Sequence, residues 1–104
     1  MPKITAKEMM YQMIESTVLG EDFDRESAYF AEYKPSGEVA RYNMKTIDMH
    51  PDTEMESVDQ YEALALIQKY SGDASVEHAM YTYDSFATRN TDDGLVVYAW
   101  NNRN

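Results

Sequence analysis

Apolar and polar positions along the chain first spell out a helix. Thr5-Ala6-Lys7-Glu8 has the form of a capping box, with Thr5 at the helix start and Glu8 reaching back to its backbone N–H. Met10, Met13, Ile14 and Thr17 then recur on one face, flanked by Met9 and Val18, while Glu8, Gln12 and Glu15 fall opposite. Gly20 offers a left-handed stop. The pattern predicts an amphipathic helix over 6–18, whose Met-rich stripe is read as core filling rather than an adaptable binding groove. The period then changes to two. Tyr29, Ala31 and Tyr33 alternate with Ala28 and Phe30, which predicts a strand over 27–34. Pro35-Ser36-Gly37 is turn chemistry, and a second strand returns from Val39 to about Ile47, completing a hairpin.

Two overlapping capping patterns follow, Thr53-x-x-Glu56 and Ser57-x-x-Gln60. Ser57 is the expected N-cap, because the apolar run Ala63-Leu64-Ala65-Leu66-Ile67 comes next and Gly72 closes the helix. This second helix is nearly apolar all round at its middle and is expected to be the most buried element. From Glu77, Ala79, Tyr81 and Tyr83 alternate with His78, Met80 and Thr82, predicting a third strand. Asn90-Thr91-Asp92-Asp93-Gly94 reads as a loop, and Leu95 to Trp100 is the strongest strand signal in the chain. The order is therefore α-β-β-α-β-β. The expected fold class is α+β in two layers: a four-stranded antiparallel sheet, both helices on one face, and several tyrosines on the open face.

Composition bounds this picture without redrawing it. A chain of 104 residues is expected to be one domain, 1–104. With 43% apolar residues, nine Tyr, three Phe and one Trp it has the material for a core despite a formal charge of −10. The lack of cysteine excludes thiol nucleophiles, thiolate zinc sites and disulfides, and suits a reducing cytoplasm. No apolar signal core or membrane span is visible, so the expected location is cytoplasmic. Nineteen acids against nine bases repel phosphate backbones and anionic membranes. Direct nucleic-acid binding and membrane binding are thus not expected. The natural partner is a protein with a basic surface, bound by a monomer or small homo-oligomer.

Charge is concentrated rather than spread. Between Lys45 and Lys69 lie six carboxylates (Asp48, Asp52, Glu54, Glu56, Asp59 and Glu62) and no Lys or Arg. Acids three or four apart on a helix sit about 5–6 Å from one another, a spacing of the same order as duplex phosphates. Glu21, Asp22, Asp24 and Glu26 form a second acidic cluster. Tyr29 and Tyr33, with Tyr42, Tyr81 and Tyr83, are candidate contact residues beside them, because tyrosine supplies large contact area at low entropic cost. The acids at the start of the second helix are also what a helix dipole favours. The connector from Asp48 to Glu56 has no such excuse and is the more informative half.

Catalytic signatures are missing. There is no nucleophile elbow, phosphate-binding glycine loop or His-Glu-x-x-His, and each of the four glycines is used by a turn or helix end. An enzyme is not expected, nor a cofactor. One foothold remains as an alternative: Asp48, His50, Asp52 and Glu54 alternate, so an extended segment projects them to one side, a donor set suited to Mn²⁺ or Zn²⁺. His78 would add a second nitrogen, and Pro51 interrupts the run. A further alternative is a structural or oligomeric protein whose acidity serves only solubility.

In size, acidity and lack of cysteine the chain resembles the small proteins with which bacteriophages block host restriction and CRISPR enzymes. The resemblance lies in general character and carries no residue assignments. It implies an inhibitor that occupies a basic nucleic-acid-binding surface by charge mimicry.

Overall fold

Side-chain alternation in the last strand decides the architecture. A computed structural model of the protein describes residues 2–13, 29–43, 49–71 and 73–102. Along the chain these form β1 (Lys3–Thr5), α1 (Ala6–Met13), β2 (Tyr29–Tyr33), β3 (Val39–Asn43), β4 (Glu54–Val58), α2 (Gln60–Ser71), α3 (Asp73–Thr82), β5 (Ser85–Thr91) and β6 (Gly94–Trp100). Among the described residues the strands make one six-stranded sheet in the order β1-β4-β5-β6-β2-β3, with every neighbouring pair antiparallel. In β6, Val96, Tyr98 and Trp100 join a core with Ala6, Met9 and Met13 of α1. Val97 and Ala99 join a second core with Ala63 and Ile67 of α2 and with Ala79 and Tyr83 at the end of α3. The sheet is therefore covered on both faces. That explains why the sequence of β6 is apolar almost throughout: a strand buried on both sides has no polar face to show.

The α+β class stands, but a four-stranded sheet with two helices on one face does not. Two strands were hidden in the sequence. β1 is three residues long, and β4 carries Glu54 and Glu56 at alternate positions, which reads as a solvated connector. The structure pairs Lys3 with Glu56, Ile4 with Met55 and Thr5 with Glu54, then β4 with β5 from Glu56↔Thr88 to Val58↔Phe86. Ile4 and Met55 go into the α1-side core. Residues 77–82 are helical rather than extended. Their alternation competes with a stripe of Val76, Ala79 and Tyr83 at helical spacing, and burial of that stripe against the sheet selects the helix.

The two helices on that face run antiparallel. α2 begins where β4 ends and finishes beside the β2–β3 turn, where the Tyr70 carbonyl oxygen lies 3.0 Å from the point a Cβ would take on Gly37. α3 then leads back to the start of β5, where Asp84 donates its N–H to the Trp100 carbonyl. Both hairpin turns sit together at the other end of the sheet, with the Pro35 ring 3.0 Å from a Cβ built on Gly94. Gly37 and Gly94 have φ of +88° and +123°, which glycine adopts without the clash a side chain brings.

Local readings shift as well. Thr5 caps α1 as expected, the Glu8 N–H donating to Thr5 Oγ1, but Glu8 Oε1 accepts from the Thr5 hydroxyl in place of the expected backbone N–H. The buried stripe of α1, however, is Ala6, Met9 and Met13. Gln12, expected to face outward, turns in and accepts a 3.0 Å hydrogen bond from the Trp100 indole. The predicted N-cap Ser57 lies in β4, and Asp59 takes its place, its Oδ1 accepting from the Glu62 N–H at 2.8 Å.

Candidate acidic interface

The acidic stretch is held by backbone hydrogen bonds and strand pairing where a connector was expected. The first-turn amides of α1 have no partners within the helix. Ala6 and Lys7 donate instead to the carbonyls of Thr53 and Pro51, each at 2.9 Å. The turn closes on itself through Thr53 N–H to the His50 carbonyl, 3.0 Å, and Asp52 N–H to His50 Nδ1, 3.1 Å. Met49 packs beneath it against the α1-side core. Asp52 is thereby fixed facing water. In β4, Met55 points into the core while Glu54 and Glu56 share the opposite face, about 7 Å apart along the strand. Asp59 then caps α2, and Glu62 in its first turn faces solvent, where the helix N-terminus favours negative charge.

Asp52, Glu54, Glu56, Asp59 and Glu62 thus follow one another along a turn, a strand and a helix start, all exposed. Their neutralisation is slight. Lys3 Nζ lies 3.4 Å from Glu54 Oε2, with both side chains nearly two-thirds exposed, so solvent screens the pair. Among the described residues Glu56, Asp59 and Glu62 make no ion pair. Beside the row, Lys3, Glu54, Glu56, Thr88, Arg89 and Leu95 border an open cleft of about 330 Å³, the Arg89 guanidinium there donating to the Tyr98 hydroxyl.

The other sequence candidates scatter. Asp48, Glu21, Asp22, Asp24 and Glu26 lie outside the described residues. Tyr29 opens β2 opposite Asn43. Tyr33 is buried completely between the sheet and the α2–α3 pair, so its ring is core and not a contact surface; an open sheet face was needed to expose it. Of the metal alternative only His50, Asp52 and Glu54 fall within the described residues. Among the described residues no three acids or histidines gather, and the Asp52 amide already occupies His50 Nδ1. His78 is on α3, across the sheet from the α1 end that holds the His50 turn.

Two features were not anticipated from the sequence. Tyr61 and Met80 are exposed by 84% and 53%; Tyr81, already a candidate contact residue, is 79% exposed but on a helix and not a strand, whereas the candidate Tyr83 is buried. Once 73–82 is a helix, burial of Val76, Ala79 and Tyr83 leaves 77, 80 and 81 outside, so the helical stripe was the signal. The second feature is a polar spot in the core beneath α3. The Tyr33 hydroxyl and His78 Nε2 are buried with no hydrogen-bond partner, and the His78 ring meets Tyr83 edge-on at 5.9 Å. Burial pushes the Tyr33 phenol up to about 12, with Tyr83 adding and Arg41 opposing. Burial, helped by Arg41, lowers the pKa of His78 below its usual value.

No protein-family model, curated protein or solved structure matches the chain. No helix among the described residues is long and apolar enough to cross a membrane.

Proposed function

We propose that the protein is an acidic binding module of the cytoplasm that occupies the basic, nucleic-acid-binding surface of a partner protein by charge mimicry, acting as an inhibitor of the anti-restriction or anti-CRISPR kind. One observation carries this reading: five carboxylates, Asp52, Glu54, Glu56, Asp59 and Glu62, are presented in succession on well-held backbone, and among the described residues Lys3 is the one lysine or arginine paired with them. A row of exposed carboxylates attracts cationic clefts and speeds encounter, and its attraction weakens with salt. Binding needs no catalytic group and no cofactor, and it leaves nucleic acid as the competitor instead of the ligand.

The test is a pull-down from host cells, followed by competition on the purified pair. Duplex DNA or RNA is expected to displace the protein from its partner, and affinity is expected to fall steeply from low to moderate salt. Changing Glu54→Gln, Glu56→Gln, Asp59→Asn and Glu62→Gln together should abolish binding with the fold intact, because asparagine still caps α2. Normal binding by that variant would remove the acidic row from the interface.

A further inference from the structure

The acidic row ends at the start of α2, and the surface it leads to is not merely charged. Among the described residues four large apolar or aromatic side chains are exposed, and three of them, Tyr61, Met80 and Tyr81, belong to the α2–α3 pair. Because the helices are antiparallel, Tyr61 in the first turn of α2 and Met80 and Tyr81 in the last turn of α3 occupy the same end of the sheet. Asp59, Glu62 and Glu77 are exposed around them. From Thr46 to Thr88 the chain carries nine acids and a single cation, Lys69. That lysine sits at the opposite end of α2, its ammonium 5.5 Å from the Tyr70 ring.

The fold has no use for the two rings. Tyrosine is a middling helix former, and side chains left about four-fifths in water gain little from burial. Single exposed apolar residues need no explanation, but three at one helical tip inside an acidic frame match the make-up of interface anchors. The chemistry also names the cation. A guanidinium stacks flat on an aromatic face and pairs with carboxylates in a fork, whereas an ammonium, though it can lie over a ring, is a more strongly hydrated point charge that makes no fork.

We propose that the α2–α3 tip, with Tyr61, Met80 and Tyr81 framed by Asp59, Glu62 and Glu77, is the surface that grips an arginine-rich segment of a partner protein. This rests on the acidic-module reading and gives it a location and a preference. Glu54 and Glu56 on β4 supply attraction, and the tip selects arginine over lysine.

The test titrates isotope-labelled protein with a synthetic arginine–glycine peptide, then with the same peptide carrying lysine for arginine, both at low salt and followed by nuclear magnetic resonance. Amide shifts are expected at Tyr61, Met80 and Tyr81, with the arginine peptide bound more tightly by about twofold to fivefold. The variant Tyr61→Ser/Tyr81→Ser should lose that preference while keeping the wild-type melting temperature, since both rings are exposed. Equal binding of the two peptides, or shifts confined to Glu54 and Glu56, would overturn the arginine tip and leave the acidic module standing. Binding of neither peptide would overturn both. A Tyr variant that keeps the arginine preference would also remove the tip.

Discussion

Trp100 is 1% exposed and donates its indole N–H to Gln12, tying α1 to the central strand of the sheet. Replacing Gln12 with Ala strands that donor next to the core. The cost should be about 1–3 kcal/mol in chemical denaturation, with a shift in emission from the protein's single tryptophan. The polar spot under α3 predicts stability losses at both ends of the pH range. Tyr33 has its pKa raised from 10.0 to about 12, so its contribution is complete below pH 10 and is lost as pH rises from there toward 12. His78 has its pKa lowered from 6.5: the folded state holds the neutral ring, and stability falls as pH drops below 6.5 because the unfolded chain binds the proton first. Among the described residues Arg41 on β3 and Tyr83 after α3 act on His78, and neither is a carboxylate. Melting curves across pH should show the acid-side loss shrink in His78→Gln, and absorbance titration should find one tyrosine ionising late.

Caps and turns report how the elements are set. Asp59→Ala should cost about 1 kcal/mol by removing the bond to the Glu62 amide, whereas Ser57→Ala, in mid-strand, should lack that capping penalty. Gly94→Ala places a Cβ at φ +123° and 3.0 Å from the Pro35 ring, so it should cost about 1–3 kcal/mol, again read by denaturation. The same elements show how far the chain could be read unaided. The Thr5–Glu8 cap, the Pro35-Ser36-Gly37 turn and the apolar run of β6 carry their signals within a few residues, and all three appear in the fold. β1 and β4 do not, because neither is a strand by its own preference. Three residues and an alternation of glutamates become strands only when Ile4 and Met55 meet across 51 residues of chain. Residues 77–82 fit either period, and only the sheet beneath them breaks the tie. The acids of the candidate interface were visible as composition; that Glu54 and Glu56 share a strand face, and that Tyr33 is interior while Tyr61 and Tyr81 are not, depended on that long-range pairing and on helices covering both faces.

The net charge of −10 should act on the protein as a unit. Like charges along the turn, β4 and the start of α2 repel one another in the folded state, and salt screens them over about 10 Å at 0.1 M. The melting temperature should therefore rise between low and moderate salt, and the fourfold neutralised variant should show a smaller rise. Partner binding should weaken over the same range, so salt is expected to separate the protein's own stability from its grip on a cationic surface.

β1 lies at the sheet's edge, fastened to a strand far away in sequence, while β5 and β6 are joined by a tight turn. Loop closure makes the local hairpin the cheap first step and the β1–β4 pairing a late one. Ile4→Val should then accelerate unfolding while leaving the folding rate almost unchanged, as a chevron plot would display. The N-terminal strand is expected to work as a latch on the outer edge of β4: Glu54 has its strand partner in Thr5, whereas Glu56 is held from both sides, by Lys3 and by Thr88.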